Sequence, residues 1–289
     1  MKVLVLGSKG QLGRCLYDQL EKTNYEVFYT SRAEFDLSDL DSITENLSLI
    51  RPTIVINASA YTAVDKAEDD HETADLINHL AVAKLADACN GLNVWLVHVS
   101  TDYVFDGTAT KPYREDDETN PQSIYGRSKL NGELAITRSG CNHIIIRTAW
   151  VFSEYGNNFF KTMLRLGSDR DELSIVNDQL GCPTYAQDIA KVITCMLPDL
   201  FRERVDSGIF HYCGDQPCSW YAFAIAIFSE ARADGRKVPD TLLKATSLEF
   251  KSLAERPLYS VLDCSKIKAV FNIESSDWAN GIVSVFKKL

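Results

Sequence analysis

Short apolar segments alternate with longer amphipathic ones through the first half of this 289-residue chain. This alternation restricts the possible folds more than any other feature of the sequence. The apolar segments predict β-strands at 3–6, 26–29, 54–56, 94–99 and 144–146. Their nearly continuous apolar character is typical of parallel strands covered on both faces. Between them, apolar residues recur at helical spacing, for example over 70–88. Strands that alternate with helices predict an α/β fold, a Rossmann-like doubly wound parallel sheet.

Composition and charge exclude several classes of protein. The net charge is −10, and no cluster of Lys and Arg suggests an extended polyanion as partner, so nucleic acid is not expected. The apolar runs at 144–146 and 221–228 are far shorter than the ~18 residues of a membrane span. The first residues lack the apolar region of a signal peptide. The eight cysteines are scattered without zinc-site spacing, which favours reduced thiols. We therefore expect a cytoplasmic protein that binds no metal and no membrane.

Three glycines follow the first predicted strand in the pattern G-x-x-G-x-x-G. Gly7 permits a tight turn, Gly10 allows close approach of the backbone to a pyrophosphate, and Gly13 lets the next helix pack on the sheet. The helix N-terminus offers free N–H groups and the positive end of its dipole to phosphate. The loop therefore predicts a dinucleotide-binding site.

The end of the second strand indicates which dinucleotide is bound. An acidic residue there binds the ribose 2′-hydroxyl of NAD, whereas an Arg accommodates the 2′-phosphate of NADP. The hydroxyl of Ser31 and the guanidinium of Arg32 favour NADPH. Glu34 and Asp36 follow closely, so NADH stays possible.

The alternation weakens past Trp150. Residues 1–150 are predicted to form an NADP(H)-binding Rossmann-like domain, completed by segments that return near 184–212. Residues 151–289 are predicted to form mainly a smaller, interleaved lobe for the substrate. Helical patterns in this half cover 158–166, 186–196 and 220–233, and a strand is predicted at 209–212.

Two segments predict acid–base chemistry beside the dinucleotide. Residues 100–105, S-T-D-Y-V-F, follow the fourth strand, and Tyr125 and Lys129 form a Y-x-x-x-K pair on one helix face. A phenol with a pKa of about 10 needs a shift of about 3 units to exchange protons readily at neutral pH. Lys129 and an oxidised nicotinamide could supply that shift, while Thr101 could hydrogen-bond a substrate carbonyl. A Y-x-x-x-K pair occurs by chance in many chains, so by itself it is weak evidence. The glycine loop before it and the order of the segments strengthen the prediction of acid–base chemistry.

The combined motifs resemble those of the extended short-chain dehydrogenases/reductases. Within them, five blocks resemble the dTDP-4-dehydrorhamnose reductases: 57–68, 100–107, 147–152, 156–159 and 177–184. The resemblance implies reduction of the C4 ketone of dTDP-4-dehydro-L-rhamnose by NADPH, as the last step of dTDP-rhamnose biosynthesis, with Tyr125 as proton donor.

The resemblance also implies roles for individual residues. Gly10, Gln11 and Leu12 would contact the cofactor phosphates, Asp36 and Leu37 the adenine, Ser59, Ala60 and Tyr61 the rest of the cofactor, Tyr125 and Lys129 the nicotinamide riboside, and Thr101, Tyr103, Trp150 and Arg256 the substrate.

Other readings remain open. A related sugar-nucleotide reductase, epimerase or dehydratase would share the scaffold, and a regulatory subunit like that of methionine adenosyltransferase would bind without turnover. Arg256 could be a surface ion-pair residue and Trp150 plain core between the lobes. His98, inside an apolar strand, is predicted to be a core histidine with satisfied hydrogen bonds.

Some members of the family form dimers through magnesium held by surface glutamates. The matching positions here are Cys15 and Gln187, which are poor magnesium ligands. We therefore expect no dimer bridged by magnesium in that way, and a homodimer of another kind stays open.

Overall fold

The computed structural model describes residues 1–289 and contains the following elements. The strands are β1 (Lys2–Leu6), β2 (Glu26–Thr30), β3 (Ile54–Asn57), β4 (Trp95–Thr101), β5 (His143–Thr148), β6 (Val151–Phe152), β7 (Glu172–Val176), β8 (Leu180–Gly181), β9 (Thr184–Tyr185), β10 (Gly208–His211), β11 (Cys218–Ser219) and β12 (Thr241–Ala245). The α-helices are α1 (Gln11–Leu20), α2 (Leu40–Ile50), α3 (Val64–Ala67), α4 (His71–Asp75), α5 (Ala81–Leu92), α6 (Ile124–Ser139), α7 (Phe159–Asp169), α8 (Ala186–Phe201), α9 (Trp220–Ala233), α10 (Ser265–Phe271) and α11 (Trp278–Phe286).

A six-stranded sheet in the order β10-β5-β4-β3-β1-β2 forms the centre of the molecule. All of its neighbouring strands are parallel. After β2 the chain crosses back to place β3 on the other side of β1, so the strand order reverses between β1 and β3. In open parallel sheets, ligands bind at the carboxyl ends of the strands beside such a reversal. The predicted Rossmann-like α/β class is confirmed.

Apolar side chains of each central strand alternate between two layers of helices. Val3 and Val5 of β1 pack with α1 and α8, whereas Leu4 and Leu6 pack on the opposite face with α2 and α5. Burial of both faces explains why these strands are apolar almost throughout. The Gly loop after β1 is thereby anchored to the core.

Segments of the second half complete the sheet. Helix α8 packs on the same face as α1, and β10 extends the sheet by pairing with β5. The remaining segments form a lobe in which α7, α9 and α11 surround the buried rings of Phe152, Phe160 and Phe223. Strands β7 and β12 pair in parallel at its edge.

The structure departs from the sequence-based expectations in two ways. The helix predicted over 70–88 contains a π-helical turn at Leu76–Leu80, between α4 and α5. This turn brings the carbonyl of Asn78 against Gly132 of α6, where a Cβ atom would lie only 2.2 Å from that oxygen. Strands β7 and β12 and helices α10 and α11 were not predicted, because each is short and packs against residues distant in sequence.

All eight cysteines are free thiols. None of the helices combines the length and the apolar composition that crossing a lipid bilayer requires.

A buried ion pair joins α6 to the sheet. The guanidinium of Arg147 on β5 donates to both carboxylate oxygens of Glu133, with Nη2 2.7 Å from Oε2 and Nε 3.1 Å from each oxygen. Both side chains are at most 3% exposed. Removing one partner of such a pair leaves an unpaired buried charge.

We predict that Glu133→Leu lowers the free energy of unfolding by about 3–5 kcal/mol, because the guanidinium of Arg147 then stays buried without a counter-ion. Combining it with Arg147→Met removes both charges and should restore most of the loss. Urea denaturation of the three proteins measures this. A double variant no more stable than Glu133→Leu alone would show that the ion pair is not the source of the loss.

Candidate active site

A cleft of about 1180 Å³ lies between the carboxyl edge of the sheet and the C-terminal lobe. Eleven of the residues selected from the sequence line it: Gly10, Gln11, Leu12, Ser59, Ala60, Thr101, Tyr103, Tyr125, Lys129, Trp150 and Arg256. The other selected residues are outside its lining: Gly7, Gly13, Ser31, Arg32, Asp36, Leu37 and Tyr61.

The glycine loop forms a tight turn that only glycine permits. Gly7 has a φ of 78°, and its carbonyl accepts a hydrogen bond from the N–H of Gly10 at 2.9 Å. A Cβ on Gly13 would lie 2.2 Å from the same carbonyl oxygen. Helix α1 then begins at Gln11 with no side-chain cap and no acidic residue in its first turn. Its first N–H groups are therefore available to an anion such as a pyrophosphate.

The C-terminal half of the chain holds the glycine loop from the other side of the cleft. Nδ2 of Asn158 donates to Oε1 of Gln11 at 2.6 Å, and Nε2 of Gln11 donates to the carbonyl of Val151 at 3.3 Å. Asn158 of the 156–159 block therefore orients Gln11 at the start of α1. The sequence alone did not predict this contact.

The residues at the end of β2 lie at the surface. Arg32 is exposed, with its Nε 3.4 Å from Oδ2 of Asp36. Hydrogen bonds from Ser38, and secondarily the guanidinium of Arg32, lower the pKa of Asp36. The carboxylate of Glu34 is occupied by the backbone N–H and hydroxyl of Ser31. Both carboxylates therefore have partners within the chain, and the predicted contact of Arg32 with the cofactor stays a prediction.

Tyr61 and Leu37 are held in place by neighbours outside the cleft. The N–H of Tyr61 donates to Oδ1 of Asn78 at 2.9 Å, and its hydroxyl donates to Asp70 at 3.1 Å. Leu37 is buried in the core with α2. Their predicted contacts with the cofactor stay predictions.

Helix α6 carries Tyr125 and Lys129 into the cleft. The hydroxyl of Ser123 caps the helix by accepting from the N–H of Gly126 at 3.1 Å. A Cβ on Gly126 would lie 2.3 Å from the carbonyl oxygen of Tyr103, so glycine lets the helix begin directly against the segment after β4. As a result, the ring of Tyr125 meets that of Tyr103 edge-on, with centroids 5.6 Å apart.

Thr101, the last residue of β4, is oriented by its neighbours. Its Oγ1 donates to Oδ1 of Asp102 at 3.0 Å and accepts from the N–H of Tyr103 at 3.2 Å. Burial raises the pKa of Asp102 to about 6, although hydrogen bonds from Ser260 and Thr101 oppose the shift. Asp102 therefore controls the direction of the Thr101 hydroxyl.

Burial also determines the protonation of Tyr125. It raises the pKa of the phenol to about 12, while the hydroxyl of Thr101 lowers it. The expected downward shift of this pKa is therefore not present in the chain alone, because loss of hydration outweighs the hydrogen bond of Thr101 and the charge of Asp102 acts in the same direction as burial. A phenol protonated at neutral pH is the form that can donate a proton.

Lys129 is anchored to the end of β4. Its Nζ donates to the carbonyl of Val99 at 2.7 Å and lies 3.0 Å from Nε2 of His98. Burial lowers the pKa of Lys129 to about 8, and the charge of Glu133 opposes this. His98 is fully buried with a partner at each ring nitrogen, which confirms the predicted core histidine. Sequence reasoning missed that one partner is Lys129, because the contact joins two distant segments.

On the lobe side of the cleft, Trp150 stacks on Trp220. The two rings are nearly parallel, with centroids 3.5 Å apart. A Cβ on Gly181 would lie 2.4 Å from the indole of Trp150, so glycine is required there. Nε1 of Trp220 donates to Oε1 of Gln179 at 3.1 Å. Trp220 and Gln179 both line the cleft; the block at 177–184 already contained a signal for Gln179, whereas no motif indicated Trp220.

Arg256 reaches the cleft from the segment before α10. Its Nη2 donates to Oδ2 of Asp65 at 2.8 Å, while its buried Nε has no partner. Only one guanidinium nitrogen thus has a partner in the chain, and because Arg256 lines the cleft, its remaining donors could bind an anionic group. The ion pair and the predicted substrate contact are compatible.

No group of three or more His, Cys, Asp or Glu residues is arranged to hold a metal ion. Cys15 is on the buried face of α1, and Gln187 is half-buried on α8. The position matched to a surface glutamate in the first helix is therefore an interior one in this chain.

Comparison with known proteins identifies the family. A family profile described as the RmlD substrate binding domain matches residues 1–289. The chain belongs to the RmlD family. A dTDP-4-dehydrorhamnose reductase of Aggregatibacter actinomycetemcomitans is 42% identical over 287 residues, covering 98% of each chain. The resemblance predicted from the motifs, and with it the prediction of a nicotinamide-dependent reductase, is confirmed.

Solved structures of RmlD proteins agree over their whole length. The structure of a dTDP-4-dehydrorhamnose reductase from Clostridium acetobutylicum matches with a TM-score of 0.92 and 38% identity, covering 100% of this chain and 99% of that one. The Bacillus anthracis reductase, solved in complex with NADP, matches with a TM-score of 0.91 and 34% identity, covering 100% and 99%.

The buried carboxyl of Asp102 predicts a pH dependence of stability. Its pKa is about 6 in the folded chain against an ordinary value of 3.8. The folded state therefore binds the proton more tightly than the unfolded state does. The resulting stabilisation of the folded state is present at low pH and is lost as the pH rises through about 6. Between pH 5 and pH 8 the loss amounts to roughly 1–2 kcal/mol of unfolding free energy. Asp102→Asn removes the titrating group, so the variant should gain that amount relative to wild type over this range. Urea denaturation at both pH values measures it, and an unchanged difference would contradict the assignment.

Proposed function

We propose that this protein reduces the C4 ketone of dTDP-4-dehydro-L-rhamnose to dTDP-L-rhamnose with NADPH, as the last step of dTDP-rhamnose biosynthesis. The observation that carries the proposal is that one cleft contains the start of α1, with its free N–H groups, and the side chains of Thr101, Tyr125 and Lys129. The names of its RmlD relatives supply the substrate.

The start of α1 fits the cofactor. The turn at Gly7, the close packing at Gly13 and the uncapped N–H groups of α1 suit a pyrophosphate, and Gln11 is held beside them. Arg32 would meet the 2′-phosphate that distinguishes NADPH from NADH. When bound, NADPH supplies the hydride that reduces the ketone carbon. The NADP in the Bacillus anthracis relative supports this choice.

Tyr125 provides the proton. As the ketone carbon is reduced, its oxygen becomes an alkoxide, which takes the proton from Oη of Tyr125 and leaves a phenolate. The pKa of about 12 keeps the phenol protonated until that moment. Thr101 would direct the ketone oxygen toward Tyr125 by hydrogen bonding, and Lys129 would donate from Nζ to the ribose beside the nicotinamide.

The lobe of residues 151–289 would bind the nucleotide part of the substrate. Arg256, which lines the cleft and has donors left beyond its bond to Asp65, is suited to the diphosphate. Trp150 already stacks on Trp220 and is backed by Gly181, so an edge of its indole rather than a free face would meet the sugar.

The direct test is the loss of absorbance at about 340 nm when NADPH and dTDP-4-dehydro-L-rhamnose, generated in situ, are mixed with the protein. We expect turnover by wild type and a fall of about 10²–10⁴-fold in kcat for Tyr125→Phe, because the proton donor is removed while the ring stays. Because Tyr125 is also expected to contact the nicotinamide riboside, binding of NADPH to the variant, followed by fluorescence, should weaken, but by far less than kcat falls.

Tyr113→Phe is the matched control. It removes a phenol hydroxyl that bonds to Asp106 outside the cleft, so kcat should stay near wild type. Nearly normal turnover by Tyr125→Phe would disprove its role as proton donor. Binding of the sugar nucleotide by wild type without any oxidation of NADPH would overturn the reductase proposal and favour a regulatory role.

A further inference from the structure

His98 lies deep beneath the active site, in contact with Lys129, and the proposed mechanism assigns it no task. The sheet register places it there, since His98 of β4 is paired with Asn57 of β3. Both residues are fully buried. A polar pair in the middle of an apolar sheet carries a cost unless each group finds a partner.

A continuous chain of hydrogen bonds runs from the cofactor side of the cleft to Lys129. The N–H of Ser59 donates to Oδ1 of Asn57 at 3.0 Å. Nδ2 of Asn57 lies 3.2 Å from Nδ1 of His98, and Nε2 of His98 lies 3.0 Å from Nζ of Lys129. The chain begins and ends at residues that line the cleft.

The direction of these bonds follows from the first one. Because Oδ1 of Asn57 is occupied by the N–H of Ser59, its Nδ2 donates to Nδ1 of His98. A neutral imidazole carries one proton, which must then be on Nε2. Burial keeps the pKa of His98 well below its ordinary value, so the ring stays neutral. The Nε2–H of His98 therefore points at Nζ of Lys129 and donates to it when Lys129 is uncharged, the form that burial favours by lowering the pKa of the lysine to about 8.

In its uncharged form, each group on Nζ of Lys129 has a partner or a direction. Its amine accepts from His98, donates one N–H to the carbonyl of Val99 and has one N–H left for the cleft. The lysine side chain has four rotatable bonds, so two fixed partners are needed to aim that last N–H at one place.

We propose that His98 is a positioning residue for Lys129: its Nε2, oriented by Asn57, fixes Nζ of Lys129 against the end of β4 so that one N–H points to the cofactor. The reaction that this serves is the proposed reduction, on which the catalytic part of the inference rests. The contact itself, and its effect on cofactor binding, do not depend on the identity of the sugar.

Three substitutions separate positioning from simple filling of space. His98→Gln places an amide group where Nε2 lies, and that group can accept from or donate to Lys129. His98→Asn places its amide near Nδ1, which retains the partner Asn57 but does not reach Lys129. His98→Leu provides neither contact.

We expect His98→Gln to retain kcat within about threefold of wild type, and His98→Asn and His98→Leu to lose about tenfold or more, since a misplaced group costs at least this in a preorganised site. The melting temperatures identify any variant that fails to fold. Because His98→Asn and His98→Gln are both polar and uncharged, a purely structural role would affect them similarly. Equal activity of the two would overturn the proposal.

A double-mutant cycle with Lys129→Met ties the effect to the lysine. The dissociation constant of NADPH, measured by fluorescence, should rise in His98→Asn and in Lys129→Met, and the double variant should be no weaker than Lys129→Met alone. Independent, multiplying effects would overturn the proposal.

The binding cycle also separates this inference from the proposed function. If wild type binds NADPH but does not reduce the sugar nucleotide, the proposed function fails, and the cycle still decides the role of His98. If wild type turns over and the cycle shows no coupling, only the inference about His98 fails.

Discussion

The parallel register of β1, β3 and β4 determines where every reacting group lies. Leu6 of β1 is paired with Asn57 of β3, and Asn57 with His98 of β4. Strands β1 and β3 therefore end together, whereas β4 continues three residues further to Thr101. The turn at Gly7, the segment at Ser59 and the hydroxyl of Thr101 all emerge at this edge of the sheet. The close approach of Gly126 to Tyr103 at the start of α6 then brings Tyr125 into the same cleft. A shift of one residue in this register would turn Asn57 and His98 to the wrong face of the sheet.

Burial shifts Asp102, Tyr125 and Lys129 in a common direction, toward their neutral forms. The pKa of Asp102 is raised to about 6, that of Tyr125 is raised to about 12, and that of Lys129 is lowered to about 8, each chiefly by loss of hydration. The net charge of −10 is thus carried mainly elsewhere on the molecule. A site of low charge and low hydration strengthens each electrostatic interaction that a bound cofactor and substrate bring. This suits the proton-donor role proposed for Tyr125, in which the phenol holds its proton until the alkoxide forms.

Most of the correct sequence-based predictions concern residues that lie close together along the chain. The glycine loop and the Tyr125–Lys129 pair each lie within a few residues of one another, so their geometry follows from one turn and one helix. The partners of Lys129 and Trp150 could not be predicted in the same way. His98 reaches Lys129, and Trp220 reaches Trp150, only because the sheet and the lobe bring distant segments together. The pKa of Tyr125 was expected to fall because nearby charge can be read from the motif, whereas the depth of burial cannot.

The path of the hydride tests the central claim most directly. The protein would be incubated with NADPH that carries deuterium at the transferable C4 position and with dTDP-4-dehydro-L-rhamnose, and the sugar product examined by NMR and mass spectrometry. Reduction in this cleft predicts one deuterium per product molecule, bonded to C4 of the sugar, and none at C3 or C5. Product without deuterium at C4, or exchange of hydrogen at C3 or C5 without net oxidation of NADPH, would contradict the account and indicate epimerase-type chemistry instead.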